Sequence, residues 1–341
     1  MDNSIRQEKQ SRSWHLLFLF CIGLLVLAAG MLFSLKWGPA ELSWGTLFEA
    51  LTYQGRDKLH LYIQTLRLPR TLTACIVGIQ LALAGLLTQL TTKNPLASPH
   101  IFGINAGASL AVVLGLVLSS GLGLFPSMLL AFAGAAAGAV LVWSLTGGGH
   151  KQYVRLALAG ITVHFLLSSL TEGAMILNQY STESMIFWLV GSVNRAGWQE
   201  VGMLLPFFTG GLLLLISMIP SFRLLPLDDE LAAGLGQRVN IVRAAGMLLV
   251  IIFAGSAVAV CGPIGFICLI VPHIARALAG SANLAVLVPL TGLLGGMLLV
   301  YADLFSRVIA FPFESPVGIV TSAIGAPFFI YLSRRQGGGA K

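Results

Sequence analysis

Residues 244–275 read AAGMLLVIIFAGSAVAVCGPIGFICLIVPHIA, a run with no Asp, Glu, Lys or Arg. A helix crossing a bilayer needs about 20 apolar residues, and a charge at mid-membrane costs roughly 2.5–3.5 kcal/mol on insertion scales. The run has room for more than one crossing. Similar uncharged runs lie at 13–35, 71–92, 94–150, 201–222, 277–302 and 315–333. In lipid every backbone N–H and C=O must be satisfied within the protein, which leaves helices or a closed barrel. Barrel strands alternate apolar and polar residues over about ten positions. These runs are apolar throughout, so they predict helices. The whole chain agrees: of 341 residues 56% are hydrophobic and 10% charged, against roughly 25% charged in a soluble domain. A soluble enzyme and a disordered chain are both excluded.

Breaks inside the long runs set the number of spans. Gly121, Gly123 and Pro126 divide 94–150, while Gly262-Pro263, Pro272-His273 with Arg276, and the stretch from Gly280 to Asn283 divide 244–302. The expectation is an all-α polytopic membrane protein with ten spans, at about 14–35, 71–91, 101–119, 124–145, 155–177, 201–219, 244–261, 264–279, 284–302 and 316–333. The eighth is short, and a re-entrant segment is its alternative. The chain then divides into a tail at 1–13, one membrane domain at 14–333 with a long loop at 220–243, and a tail at 334–341. The first apolar segment, about 22 residues, exceeds the roughly 7–15 of a signal-peptide core and reads as an uncleaved span.

An even number of spans puts both termini on one side. That side, with the turns near 93, 146–155, 220–243 and 276–283, holds 13 basic residues, and the opposite side holds seven. The positive-inside rule therefore predicts cytoplasmic termini. The net charge of +7 becomes a topology signal, not a nucleic-acid footprint. On the outer side, 36–66 mixes Trp37, Trp44, Tyr53 and Tyr62 with charges and suits an interfacial segment, and 185–190 suits a helix lying on the membrane. Gly103/Gly107, Gly134/Gly138 and Gly292/Gly296 have the GxxxG spacing that lets helix backbones approach.

No GxxxxGK[ST], HExxH or GxSxG motif occurs, so no P-loop, zinc-protease or hydrolase reading has support. Cys21, Cys75, Cys261 and Cys268 lie within apolar runs as packing residues, with no disulfide framework and no metal site expected. Buried His164 reads as structural, and Glu172 near a span end reads as a snorkelling or ion-binding acid.

Four stretches carry more. Arg67-Leu68-Pro69-Arg70 opens the second span, and two arginines three apart share a helix face with forks suited to carboxylates. Asn94-Pro95-Leu96-Ala97-Ser98-Pro99-His100-Ile101-Phe102-Gly103 is a proline-broken turn leading to Gly107. Gly262-Pro263 leads on to Pro272-His273-Ile274-Ala275-Arg276. Both regions contain Pro-His-Ile, which hints at an inverted repeat of spans two to five against seven to ten. Leu227-Asp228-Asp229-Glu230-Leu231-Ala232-Ala233-Gly234-Leu235-Gly236 reads as a short amphipathic helix, acidic at its start and ended by glycine. Outside the membrane it needs something to cover it.

Taken together, RLPR at 67–70, NPLASPHIFG at 94–103, ELAAGLG at 230–236, GPIGFICLIVPHIAR at 262–276, Ala302-Asp303 followed by Arg307, and PVGIVTSAIGAPFFIYL at 316–332 resemble the FecCD-type permeases of ABC importers for iron-siderophore, haem and cobalamin. The resemblance runs from about 40 to 333, with Cys268 standing where such permeases usually have Gly. It implies the cobalamin-importer permease fold and a bacterial inner-membrane location. It implies a second permease subunit (a copy or a paralogue), two ATP-binding subunits carrying the ATP and Mg, and an extracytoplasmic binding protein. By the same resemblance Arg67, Arg70 and Arg307 face glutamates of the binding protein. Leu227, Asp228, Asp229, Glu230, Ala233, Leu235 and Gly236 seat in an ATPase cleft. Asn94, Pro95, Gly103, Gly107, Gly262, Pro263, Pro272, His273 and Arg276 are motif positions of the scaffold. The chain itself would bind no cofactor and catalyse nothing, and a ferric siderophore is the favoured cargo. The alternative from another class is an ion-coupled carrier using Glu172, Asp303 or His164.

Overall fold

The computed structural model describes the backbone of all residues except 1, 39–41, 56, 120–121, 147–151, 179–185, 187, 281–282, 310, 312 and 338–341. The described residues form helices α1 (Asp2–Lys36), α2 (Trp44–Leu51), α3 (Lys58–Thr91), α4 (Ile104–Leu118), α5 (Leu124–Thr146), α6 (Gln152–Leu177), α7 (Trp198–Phe222), α8 (Asp229–Gly234), α9 (Val239–Cys261), α10 (Ile267–Ala279), α11 (Leu284–Ile309) and α12 (Val317–Gly337). Seven of them (α1, α3, α5, α6, α7, α9 and α11) are long and apolar enough to cross a membrane, and α4, α10 and α12 are shorter apolar helices. Each expected span falls on one of these ten. The 185–190 surface helix lies partly outside the described residues, of which Trp188–Val190 are helical.

Helix α3 is the centre of the molecule, with 83% of its most apolar stretch buried. Helices α7, α9, α10 and α11 pack around it, α1 lies on α11, and α4, α5 and α6 form an adjoining layer. Small residues permit this closeness. A Cβ on Gly107 would sit 2.1 Å from the Gly134 carbonyl oxygen, and one on Gly138 would sit 2.4 Å from that of Gly103. The two GxxxG pairs thus mesh α4 with α5. The third pair is off by one position. Gly295, not Gly292 or Gly296, meets Gly78 of α3, where a Cβ would lie 2.4 Å from the Gly78 carbonyl oxygen.

Two span boundaries move by seven residues or more from the sequence reading, each for a physical reason. The second span begins at Lys58, not 71, because the helix runs through Arg67-Leu68-Pro69-Arg70. Pro69 has no N–H to donate, and a π-helical turn at Ile63–Arg67 absorbs the fault, with the Leu68 N–H bonded to the Ile63 carbonyl. The ninth span does not stop at 302 but continues to Ile309, since Asp303 and Arg307 are paired inside the protein and do not repel the helix from the apolar layer. Helix α10 spans only 13 residues, about 20 Å at 1.5 Å per residue, against a hydrocarbon layer of about 30 Å. The two Pro-His-Ile segments also differ in form: Pro99–Phe102 is a 3₁₀ turn, whereas Pro272-His273-Ile274 lies inside α10.

The described residues of the 36–66 segment include α2 and the start of α3. Trp37 stacks on Phe33 with ring centres 5.0 Å apart, and Lys36 Nζ lies 4.2 Å over Trp44. Beneath them Leu35, Leu42, Leu47, Ala50 and Ile63 make a small core of their own. A shelf of this kind, aromatic outside and apolar beneath, suits the membrane–water boundary.

A Cβ on Gly85 would lie 1.9 Å from the Cys268 carbonyl oxygen, whereas Gly210 has nothing within 4 Å. Gly85→Ala should therefore cost about 1–3 kcal/mol by overpacking. Gly210→Ala should be neutral or slightly stabilising, by up to about 1 kcal/mol. Thermal unfolding in detergent measures both, and equal effects would contradict the packing described.

Candidate functional site

Charge is concentrated at the two ends of the buried part of α3, around Arg67–Arg70 and at Lys93. At one end Asp303 of α11 is fully buried. Its Oδ1 accepts from Arg70 Nη2 at 2.8 Å and from Arg70 Nε at 3.1 Å, and Arg307 Nη2 bonds its Oδ2. Arg70 has two further acceptors, Glu314 Oε2 at 2.7 Å from Nη1 and Asn194 Oδ1 at 3.0 Å from Nη2. An unpaired buried charge is costly; here Arg70 presents two N–H groups to Oδ1 and Arg307 one to Oδ2, all charge-assisted bonds.

The same arginines finish a helix. The last carbonyls of any α-helix lack partners within it. Arg307 Nη1 donates to the Ser34 carbonyl at 2.8 Å, and Arg67 Nη1 donates to those of Leu35 and Lys36 at 2.8 and 2.7 Å. Arg67 also lies 5.0 Å from the centre of the Tyr62 ring. Cations at the C-terminal end of α1 complement its dipole. The Ser34 and Thr71 hydroxyls bond to each other at 2.9 Å. One cluster thus ties α1, α3 and α11 to the 194 turn and to the loop before α12.

The three arginines named from the sequence are brought together, but not as open forks on a loop. Arg67, Arg70 and Arg307 are 3%, 7% and 5% exposed, and Arg307 sits in the last turn of α11. They line a recess of about 220 Å³ together with Asn194, Arg195 and Glu314. Sequence reading missed Asn194, Arg195 and Glu314. Glu314 had a signal, as the only acid after Asp303. Asn194 had none, since only the fold brings it to Arg70.

At the other end of that buried part of α3, Lys93 adopts a positive φ of 50°, a conformation that side-chain-bearing residues rarely take. Its Nζ bonds the Leu227 carbonyl and reaches Asp229 Oδ1 at 2.9 Å, and Arg243 Nη2 reaches the same oxygen at 2.7 Å. Burial works against the Asp229 charge, yet the hydrogen bonds and positive charges of Lys93 and Arg243 outweigh it and hold the carboxyl below its usual range. Its protonation would loosen the clamp only as pH falls through that depressed value. Helix α8 is thereby fixed to α3 and α9. Ala232 is its buried anchor, while Leu231 and Leu235 are 56% and 61% exposed beside Glu230, Ala233 and Asp228. Gly236 closes the turn at a φ of +84° with open space around it.

The remaining motif residues support the scaffold. The Asn94 side chain accepts from the Leu96 N–H at 2.9 Å, one residue past Pro95. Gly103 and Gly262 each take a φ of +69°, and a Cβ on Gly262, before Pro263, would strike the Trp188 carbonyl oxygen at 2.2 Å. Arg276 bonds Gln89 of α3, and His273 meets Phe328 edge-on. The groups suggested for ion coupling are not assembled: Asp303 is doubly paired, and Glu172 and His164 are exposed on α6, His164 against the buried placement expected of it. The four cysteines are free, and among the described residues no group of acids, histidines and cysteines gathers to hold a metal.

Asp303→Asn should leave two buried guanidiniums short of charge and cost about 3–5 kcal/mol. Asp229→Asn, at a half-exposed position, should cost no more than about 1 kcal/mol. Detergent melting curves of the two variants measure the difference; equal losses would show that the buried acid is not the keystone.

Residues 24–335 match the model of the FecCD transport family. The Fe(3+)-citrate import system permease protein YfmD of Bacillus subtilis is 45% identical over 335 residues, covering 98% of both chains. The Fe(3+) dicitrate transport system permease protein FecD of Escherichia coli is 39% identical over 312 residues, covering 92% of this chain and 96% of that protein. Among solved structures, a metal-chelate type ABC transporter in an inward-facing conformation superposes with a TM-score of 0.83 at 29% identity, covering 93% of this chain and 99% of that one. With that match over nearly its whole length, the chain belongs to the FecCD transport family and is the membrane permease subunit, not the ATPase, of an ABC importer.

Proposed function

We propose that this chain forms half of the pathway by which an iron chelate, of the ferric siderophore or ferric citrate class, is driven across the bacterial plasma membrane by ATP hydrolysed on separate subunits. The relatives support the cargo class: proteins 39–45% identical carry names for Fe(3+)-citrate and iron(3+)-hydroxamate import. In this reading all ten apolar helices cross or enter the bilayer, α10 as a short span, and both termini are cytoplasmic. A second permease subunit completes the pathway, whose walls carry few charges because selection lies with the binding protein.

The observation that carries the division of labour is the separation of the two charged ends. Leu68–Thr91 has 24 residues, about 36 Å at 1.5 Å per residue, which matches the bilayer thickness. The recess holding Arg67, Arg70 and Arg307 is then the outer docking face for the binding protein. The α8 segment at 227–236, with its uncovered Leu231 and Leu235, seats in the ATPase subunit. ATP-driven closure below moves α8, and α8 is clamped by Asp229 to α3 and α9, the most buried parts of the bundle. Motion at the motor thus passes into helices that reach the outer face.

Three measurements test this. In proteoliposomes holding the assembled importer, uptake of the iron chelate should require ATP with the ATPase subunits and persist when protonophore and sodium ionophore are added. Loss of uptake with the ionophores would transfer the protein to the ion-coupled class. Leu231→Asp with Leu235→Asp should lower ATPase-subunit affinity at least about tenfold, in the range of a buried interface anchor, with little change in thermal stability. Labelling of single cysteines at Gln54 and Ala233 should come from opposite faces of the membrane; reaction from the same face would overturn the topology.

A further inference from the structure

We propose that the arginine recess is a carboxylate site that Glu314 of this same chain fills in the free subunit. An acidic side chain of the docked protein displaces Glu314, and Arg195 is the guanidinium that meets it first. This rests on the docking reading above and deepens it by assigning roles to two residues outside the Arg67, Arg70 and Arg307 group.

The charge balance of the recess points to an anion. Four arginines, Arg67, Arg70, Arg195 and Arg307, line it against Glu314, with Asp303 buried behind. The kind of anion is already visible, because Arg70 Nη1 holds the Glu314 carboxylate at 2.7 Å. Three of the four arginines are committed within the chain. Arg67 caps α1, Arg307 bonds Asp303 and Ser34, and Arg70 holds Asp303, Asn194 and Glu314. Arg195 differs: it is exposed and makes no hydrogen bond or ion pair among the described residues. An incoming acid therefore finds one unengaged fork at the rim. Of the bonds inside, the Glu314 bond is the one that can be exchanged, because Glu314 retains 29% side-chain exposure while Asp303 has none. The pair that keeps contact with solvent on one side can be exchanged for another carboxylate, whereas opening the fully buried one would strand charge inside the protein.

Position gives the exchange a consequence. Arg195 and Glu314 lie on the wall shared with a second cavity of about 400 Å³ that reaches Trp188, Cys261 and Pro316. The adjoining turn is stapled to the outer ends of two helices: the Ser192 N–H donates to the Cys261 carbonyl at 2.7 Å, and the Gly318 N–H donates to the Gly191 carbonyl at 3.1 Å. Release of Glu314 frees the loop that leads into α12. Capture of Arg195 pulls on the turn whose Asn194 holds Arg70.

The test uses the assembled importer in lipid nanodiscs and the binding protein encoded with it. Affinity is measured across a salt series, and melting temperature is recorded for each variant. Glu314→Gln, by removing the competitor, should tighten binding about threefold to tenfold. Arg195→Glu should weaken it about tenfold or more and flatten its salt dependence, as for a close interfacial charge. Arg195→Lys should recover part of the loss, since the charge returns without the fork. Melting temperature should be unchanged for Arg195→Glu, since Arg195 has no partner to lose among the described residues, and should fall only slightly for Glu314→Gln, which keeps a hydrogen-bond acceptor for Arg70. Opposite signs for the two sites are the required signature. Unchanged or weaker binding by Glu314→Gln, or unchanged binding by Arg195→Glu, overturns the inference while leaving docking intact. Absence of binding by the wild-type assembly overturns the docking reading itself.

Discussion

A single carboxylate, Asp303, determines how much else is arranged. It is wholly buried near the end of a helix that would otherwise have to stop there, and it survives because Arg70 and Arg307 grip both of its oxygens. That pairing lets α11 continue to Ile309. It also places two guanidiniums where the last carbonyls of α1 need donors. Without the acid the arginines would be stranded, and without the arginines the acid would be. The three helices they join are therefore fixed relative to one another by electrostatics at one end and by small-residue packing, such as Gly78 against Gly295, along their length.

The two ends of the buried part of α3 are built on different terms. At the Arg70 end the charges are desolvated and mutually satisfied, so the arrangement resists motion. At the Lys93 end two largely buried cations converge on one half-exposed side chain, Asp229, which hangs a short helix from the bundle without burying it. The proposed function uses this asymmetry: α8 protrudes with an apolar face to receive force, and the buried cluster holds the bundle together. Between the two, α3 is buried along most of its length, which in that reading lets packed side chains carry displacement from one end to the other.

Membership of the FecCD family fits this construction, because a permease without a nucleotide site must borrow its energy through contact. In the proposed function the uncovered leucines of α8 are where that contact is made. If the recess is the docking face proposed above, recognition there is electrostatic, and the Glu314 carboxylate on Arg70 shows the geometry an acidic partner would adopt.

Composition and patterning determined the class. Long uncharged runs in a chain with 10% charged residues have one stable home, and glycine and proline positions located nearly every helix. The motif strings together determined the family. What the sequence left open were the places where a charge or a proline fails to end a helix. Pro69 is absorbed by a π turn, and Asp303 and Arg307 are neutralised by each other and by Arg70, 233 positions from Asp303. No local pattern contains that information, because the cost of a charge in the apolar layer depends on what stands beside it. The same holds for the site: Arg67 and Arg70 were legible as a pair of cations, but that they are committed, and that Arg195 is not, follows only from which backbone carbonyls and side chains the tertiary fold brings within hydrogen-bonding distance.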